Sequence, residues 1–175
     1  MEEDKQTATE ETESSEETTD KEEANADEAD SDEEEAAESE ADEAELEAAI
    51  EVENDLRSEI VTYALQFVGN RYKYGGTNPN TGVDCSGFTS YVMRHAAEVE
   101  LPHSSGGQSR MGRQVSSSEM RPGDIICYGS GKRINHVALY IGNGQIVHAS
   151  TERTGIKVSR WNYRTPVRIV NVLGD

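Results

Sequence analysis

The spacing of apolar residues predicts helices early in the chain and strands at its end. Asn54 or Asp55 can cap a first helix that Gly69 ends. Within it, apolar residues recur at helical spacing: Ile60, Val61, Ala64, Leu65 and Val68. A second helix is predicted from Ser86 to about His95. Residues 74–82, between the two helices, contain too many Gly, Asn and Pro for regular structure.

Beyond Pro122 the period of the apolar residues changes from about 3.6 to about 2, the period of a strand. Five short strands are predicted, over residues 124–128, 134–141, 145–150, 156–159 and 167–172. A polar loop is expected over residues 101–118. Helices followed by strands predict an α+β fold with an antiparallel sheet.

The N-terminal part of the chain differs in composition from the rest. Residues 1–55 carry 27 Asp or Glu and two Lys, a net charge of −25, whereas residues 56–175 have a net charge of +6. We predict a disordered acidic tail over residues 1–54, because such a segment buries too little apolar surface to offset its chain entropy. Leu46 and Ile50, four residues apart, allow a frayed helix at its end. Residues 55–175 are long enough for one compact domain.

Composition argues against several classes of protein. No run approaches the ~18 apolar residues of a membrane span. No signal peptide is visible, because the sequence has no basic segment followed by an apolar stretch at its start. Two cysteines are too few for a disulfide framework, and the absence of a Cys-x-x-Cys pair argues against structural zinc. The acidic tail disfavours nucleic-acid binding, although the domain itself is mildly basic.

Cys85 is the first candidate for chemistry. It lies between Asp84 and Ser86, after a glycine-rich turn and at the start of the predicted second helix. The free N–H groups and positive dipole of a helix N-terminus favour a thiolate, and the same N–H groups can bind a developing oxyanion. The alternative, a buried core thiol, is disfavoured by these polar neighbours. Cys127, in an alternating apolar strand, is expected to be such a core thiol.

Two histidines lie on neighbouring predicted strands. A three-residue loop over residues 142–144 would pair Ile141 with Gln145, so that paired residue numbers sum to 286. His136 and His148 would then share one face of the sheet. A two-residue turn at residues 143–144 would make the sum 287 and place the histidines on opposite faces. The sequence permits both turns, but a shared catalytic site requires the even sum.

Together these residues predict a catalytic set in which Cys85 is the nucleophile, His136 the general base and acid, and His148 the residue that orients His136. The competing interpretation is a metal site formed by the same three residues. It is disfavoured because no carboxylate lies at ligand spacing, and no cofactor is expected. A disulfide between Cys85 and Cys127, in an oxidising compartment, would abolish the activity.

Five motifs in this order resemble the NlpC family of bacterial cell-wall peptidases, from about residue 60 to residue 172. They are Tyr72-Lys73-Tyr74-Gly75-Gly76, Asp84-Cys85-Ser86-Gly87-Phe88, Pro122-Gly123-Asp124, His136-Val137-Ala138-Leu139-Tyr140-Ile141-Gly142 and His148-Ala149. The resemblance implies a papain-like α+β fold and a Cys-His-His catalytic set, with Cys85 as nucleophile, His136 as base and His148 as the third member.

The resemblance also implies roles for residues around the catalytic set. Tyr72 matches a tyrosine that lies near the nucleophile and assists the oxyanion. Asp84 and Ser86 match positions that line the pocket for the L-Ala-D-Glu end of the substrate. Ser105 and Gln108 match a polar loop beside the cleft. His103 stands where an arginine is common, and the loop between Tyr72 and Cys85 is one residue longer than usual.

The implied activity is hydrolysis of peptidoglycan stem peptides between D-γ-glutamate and diaminopimelate or lysine, through a thioester. An amidase cutting between muramic acid and L-alanine, or an inactive wall-binding module, is the alternative. We expect a monomer that acts on peptidoglycan or muropeptides in the cell wall or outside the cell. Because no wall-binding module or export signal is visible, we expect either a processed piece of an exported protein or an acidic tail that replaces a targeting module.

Overall fold

The computed structural model describes residues 31–175, with side chains from residue 41 onward. Contacts divide the chain into a unit that ends at Asp42 and a second unit, Glu43–Asp175. The described part of the first unit is helical. Of the predicted disordered tail over residues 1–54, residues 1–30 lie outside the described residues, whereas residues 31–54 are helical. The predicted domain division at residues 54 and 55 stays a prediction.

Helix α1, Ser31–Leu65, begins well before the predicted caps Asn54 and Asp55. The reason is local: Ala and Glu, which dominate residues 33–53, are strong helix formers and nothing interrupts them. The buried face of α1 in the second unit includes Ile60 and Ala64, four residues apart, whereas Leu46 is exposed. Among the described residues, no helix has an apolar stretch sufficient to cross a membrane.

The other elements confirm the predicted α+β fold. Helix α2 is Cys85–Ala97 and helix α3 is Ser105–Gln108. The strands are β1 (Thr77–Asn78), β2 (Gly82–Val83), β3 (Arg113–Gln114), β4 (Ile125–Ser130), β5 (Arg133–Gly142), β6 (Gln145–Thr151), β7 (Gly155–Arg160) and β8 (Pro166–Asn171). The expected polar loop over residues 101–118 therefore contains a short helix and a short strand, which its glycines and serines conceal in the sequence.

The six strands from β3 through β8 form one antiparallel sheet, in the order β3-β8-β4-β5-β6-β7. Strands β1 and β2 form a separate pair. Both faces of the sheet are covered. In β4, Ile125 and Cys127 belong to the cluster that includes residues of α1 and α2, whereas Ile126 and Tyr128 belong to the second cluster. Cys127 is fully buried, and burial raises the pKa of its thiol to about 12, which confirms it as a core thiol.

The hairpin between β5 and β6 combines the two predicted arrangements. Its turn is the two-residue one, with Asn143 in the left-handed region (φ 53°) and Gly142 paired with Gln145. Ile141 is an extra residue, however, and beyond this bulge Tyr140 pairs with Ile146, a sum of 286. The bulge therefore restores the even register, and the two histidines share a face as a common site requires.

A buried arginine ties helix α1 to the sheet. The guanidinium of Arg57, 3% exposed, donates to Asp124 at 3.1 Å and to the carbonyl of Pro122 at 2.6 Å. It also pairs with Asp175 at 2.5 Å. The Pro122-Gly123-Asp124 motif is thus the point where α1, the start of β4 and residue 175 meet.

Candidate active site

A groove of about 530 Å³ passes the N-terminus of α2. Its walls come from four segments, and they carry Tyr72, Asp84, Cys85, Ser86 and Ser105 among the predicted site residues. The opposite wall includes Arg133, Ile134 and Asn135 of β5. The remaining predicted residues, His136, His148 and Gln108, are buried behind the surface of the groove.

The first turn of α2 places Cys85 in this groove. The carboxylate of Asp84 caps the helix by accepting from the N–H of Gly87 at 2.8 Å, and its other oxygen accepts from the N–H of Gly75 at 3.0 Å. Gly87 is required because a Cβ there would collide with the carbonyl of Gly76. The two glycine-rich motifs therefore hold Cys85 against the turn that precedes it.

The thiol of Cys85 is protonated at rest. Burial, followed by the charge of Asp84, raises its pKa, while N–H groups of Val137, Ser86 and Cys85 lower it. From the sequence, the helix N-terminus is expected to favour the thiolate. In the folded protein that effect is present but smaller than the loss of solvation that burial of the side chain causes.

The two histidines are joined by a hydrogen bond. Nε2 of His136 and Nδ1 of His148 are 2.7 Å apart, and Nε2 of His148 lies 2.9 Å from Oγ of Ser159. Burial lowers the pKa of His136 to about 4, with a further contribution from the charge of Arg164. Burial, then His136 and Lys157, lower the pKa of His148 to about 3. Both rings are therefore neutral at pH 7.

Strand β5 carries His136 and also approaches Cys85. The backbone N–H of Val137, the residue after His136, helps to lower the pKa of the thiol, so the sulfur lies near the backbone of this strand. Nδ1 of His136 is the ring nitrogen outside the contact with His148.

Tyr72, Ser86 and Ser105 lie where the sequence predicts polar groove residues. Tyr72 forms a bridge with Val83, and burial, with the neighbouring Cys85 and Asp84, raises the pKa of its hydroxyl. The hydroxyl of Ser86 donates to Asp84 at 3.4 Å. Ser105 is the first residue of α3. Their placement permits contact with a ligand in the groove.

Gln108 does not lie on the groove. It is completely buried, and its amide nitrogen lies 2.9 Å from the carbonyl oxygens of Ser86 and Pro102. Its amide oxygen accepts from Thr89 at 2.6 Å. Because these partners use both polar ends of the side chain, Gln108 joins α2 to the segment that starts at Pro102, and the substrate-binding role expected for it is not supported by its position.

The structure also brings in residues that the sequence analysis missed or left without a role. His103 places Nε2 2.8 Å from Oδ1 of Asp84 and so bridges two walls of the groove. Arg164 donates to the side chain of Asn135, a groove residue, at 3.0 Å. Ser159 extends the histidine pair. The only sequence signal for Ser159 is its place one strand beyond His148, which requires the β6–β7 register to interpret.

The competing metal-site interpretation concerns Cys85, His136 and His148. Within residues 31–175 no three His, Cys, Asp or Glu side chains converge as a set of ligands. His136 and His148 direct ring nitrogens at each other, which occupies one nitrogen of each ring. The two cysteines, which are both free thiols, lie in different environments, one on the groove and one in the core.

Comparison with known families decides what this chain is related to. Residues 69–169 match the model of the NlpC/P60 family. The chain belongs to this family. The matched region of the NlpC/P60 domain includes Cys85, His136, His148 and Ser159, and it begins after helix α1.

Several curated proteins are similar to this chain. The murein DD-endopeptidase MepS/murein LD-carboxypeptidase of Escherichia coli (strain K12) is 41% identical over 108 residues, which are 62% of this chain and 56% of that protein. The probable endopeptidase p60 of Listeria seeligeri is 42% identical over 98 residues, 56% of this chain and 18% of that protein. The chain thus spans about half the length of the former relative and less of the latter.

Solved NlpC/P60 structures have the same fold. The NlpC/p60 domain of the peptidoglycan hydrolase SagA is 32% identical with a TM-score of 0.61, and the match covers 66% of this chain and 97% of that domain. The peptidoglycan hydrolase RipB of Mycobacterium tuberculosis is 28% identical with a TM-score of 0.62, covering 70% of this chain and 67% of that one.

Proposed function

We propose that this protein is a cysteine peptidase that hydrolyses the stem peptides of peptidoglycan. The observation that carries the proposal is a thiol at the N-terminus of α2, on a groove and near the backbone of β5, the strand that carries one of two buried, hydrogen-bonded histidines. The names of similar proteins, a murein endopeptidase and peptidoglycan hydrolases, support the substrate class.

The first half of the reaction forms a thioester. Sγ of Cys85 attacks the carbonyl carbon, and its proton passes to Nδ1 of His136 as the C–S bond forms. The N–H groups of Cys85 and Ser86 at the start of α2, with the hydroxyl of Tyr72, stabilise the oxyanion. The C–N bond then breaks, and His136 returns the proton to the leaving amine.

The second half releases the acyl group. Water attacks the thioester carbonyl while His136 takes one of its protons. The C–S bond breaks, the thiolate leaves and regains the proton, and a carboxylic acid is the product. His148 holds His136 throughout by accepting the hydrogen bond from Nε2.

The first candidate for the scissile bond is that between D-γ-glutamate and diaminopimelate or lysine, which the family resemblance implies. The name of the Escherichia coli relative favours a second candidate, a DD bond within a cross-link or an LD bond at the end of a stem peptide. These bonds differ in the residues on both sides of the carbonyl, so the products distinguish them.

Mass spectrometry of a defined digest tests both points. The substrates are a disaccharide-tripeptide, a disaccharide-tetrapeptide and a cross-linked dimer, and the proteins are the wild type, Cys85→Ala and Cys127→Ala. We expect wild type and Cys127→Ala to cleave, and Cys85→Ala to lose about three or more orders of magnitude in kcat. Cys127→Ala is the matched control because that thiol is buried in the core.

The products assign the bond. Loss of everything beyond D-glutamate supports the first candidate, whereas conversion of dimer to monomers, or of tetrapeptide to tripeptide, supports the second. Release of the whole stem peptide would indicate an amidase. No cleavage by folded wild-type protein, or equal cleavage by Cys85→Ala, would contradict the proposal and favour a wall-binding module.

A further inference from the structure

The side chains of His136 in β5, His148 in β6 and Ser159 in β7 form a hydrogen-bonded line across three neighbouring strands. His148 lies diagonally opposite His136, because β5 pairs with β6 as Leu139 with Val147. On the other side His148 pairs directly with Lys157 of β7, so that Ser159 is again the diagonal neighbour. Ser159 thus ends the line, 2.9 Å from Nε2 of His148.

At rest, two proton arrangements satisfy this line. Each neutral ring carries one N–H, so the 2.7 Å contact between Nε2 of His136 and Nδ1 of His148 has one donor and one acceptor. The hydroxyl of Ser159 can donate or accept. Only one of the two arrangements leaves Nδ1 of His136 unprotonated and able to act as a base.

Once His136 takes the proton of the thiol, a single arrangement remains. Both nitrogens of His136 then carry protons, and its Nε2–H must donate to Nδ1 of His148. That nitrogen must keep its lone pair, so the proton of the His148 ring is on Nε2 and is directed at Ser159. The hydroxyl oxygen is therefore required as an acceptor in the reactive state, whichever direction the line has at rest.

We infer that Ser159 is a positioning residue, which accepts the hydrogen bond from Nε2–H of His148 and so holds both histidines in the tautomer that catalysis needs. The inference rests on the proposed cysteine peptidase activity for its meaning, although the tautomers are measurable without substrate. A hydroxyl is suited to this place because its oxygen can accept the hydrogen bond from Nε2–H of His148 while its own proton turns away.

Nuclear magnetic resonance of the full chain labelled with ¹⁵N-histidine tests the tautomers directly at pH 7. In the wild type we expect both rings to carry their proton on Nε2. In Ser159→Ala the nitrogen shifts of His148 should move toward an average of the two tautomers, whereas Ser159→Thr, which keeps a hydroxyl, should resemble the wild type. Ser130→Ala, at the exposed end of β4, is the control. A wild-type His148 protonated on Nδ1, or a Ser159→Ala spectrum without change, would overturn the inference.

Kinetics on the cleaved muropeptide adds the functional half. Loss of one hydrogen bond that strengthens as His136 becomes charged should lower kcat about threefold to tenfold in Ser159→Ala and leave KM unchanged. Ser159→Thr should restore kcat. A raised KM with unchanged kcat would contradict the role. If the wild type cleaves none of the substrates, the proposed function fails, and the tautomer measurement still decides the inference about Ser159.

Discussion

Acid should destabilise this protein before its carboxylates titrate, because the two buried histidines bind protons less readily in the folded protein than in the unfolded chain. In the unfolded chain both rings bind a proton near pH 6.5. In the folded protein burial lowers the pKa of His136 to about 4 and that of His148 to about 3. The unfolded chain therefore binds more protons below pH 6.5, and folding stability falls as the pH falls through this window.

The size of the effect follows from the width of the window. One pKa unit corresponds to 1.36 kcal/mol, so each histidine costs up to about 2.7 kcal/mol between pH 6.5 and 4.5. Because the rings contact each other and their titrations are coupled, we expect about 2–5 kcal/mol for the pair. A loss of this size is a large part of the 5–15 kcal/mol by which a typical domain is stable.

Urea unfolding at four pH values between 7 and 4.5 measures this slope. The wild type is compared with a His136→Asn, His148→Asn double variant, which should lose much less stability on acidification whatever its stability at pH 7. His95→Asn removes an exposed histidine and should keep the wild-type dependence on pH. Equal losses in the wild type and the double variant would refute the assignment of neutral, proton-excluding rings.

Three further perturbations test other parts of the structure. Arg57→Leu leaves Asp124 buried without its partner and should cost about 3–5 kcal/mol in urea unfolding, whereas Arg94→Leu, at an exposed ion pair, should leave the midpoint nearly unchanged. Gln108→Ala should lower the free energy of unfolding by about 1–3 kcal/mol and lower kcat for muropeptides, because the carbonyl of Ser86 loses its hydrogen-bond donor. Gln114→Ala, on an exposed strand, is the control. Deleting residues 1–42, which carry 21 acidic residues, should increase retention on isolated walls at low salt and have little effect at 0.5 M, where a Debye length is about 4 Å. Unchanged retention at low salt would show that the tail does not oppose wall binding.

Much of the fold was predictable because its local signals agree with its tertiary contacts. The period-2 segments after Pro122 are the strands of the sheet, and the apolar spacing before Gly69 contains the buried face of α1. The start of α1 was not predictable from burial, since no apolar face is needed where Ala and Glu favour helix by themselves. The bulge at Ile141 was also missed, because a two-residue turn and an even register exclude each other unless an extra residue is allowed.

In the candidate site, too, features with a local sequence signal were predictable and features that depend on tertiary contacts were not. The placement of Cys85 at a helix N-terminus and of His136 beside His148 was predictable from motif and register, because the turn or strand defines the direction of each side chain. Gln108 and Ser159 could not be placed correctly. A polar side chain in a loop gives no sign of being buried, and a serine in a strand gives no sign of its cross-strand partner until both registers are known.

Two opposing effects act on the pKa of the Cys85 thiol: N–H groups near the helix N-terminus lower it, and burial raises it. The N–H groups of Ser86 and Val137 favour a thiolate, but burial of Cys85 opposes it more strongly, and the neighbouring imidazole has too low a pKa to hold the proton at rest. A stable ion pair of thiolate and imidazolium is therefore not the resting state. The charge separation must form as the carbonyl arrives, when the oxyanion N–H groups gain an acceptor and His136 gains the proton. In the proposed reaction, substrate in the groove thus supplies the electrostatic partner that the free protein lacks, and the Cys85 thiol becomes a strong nucleophile only when the bond to be cut is in place.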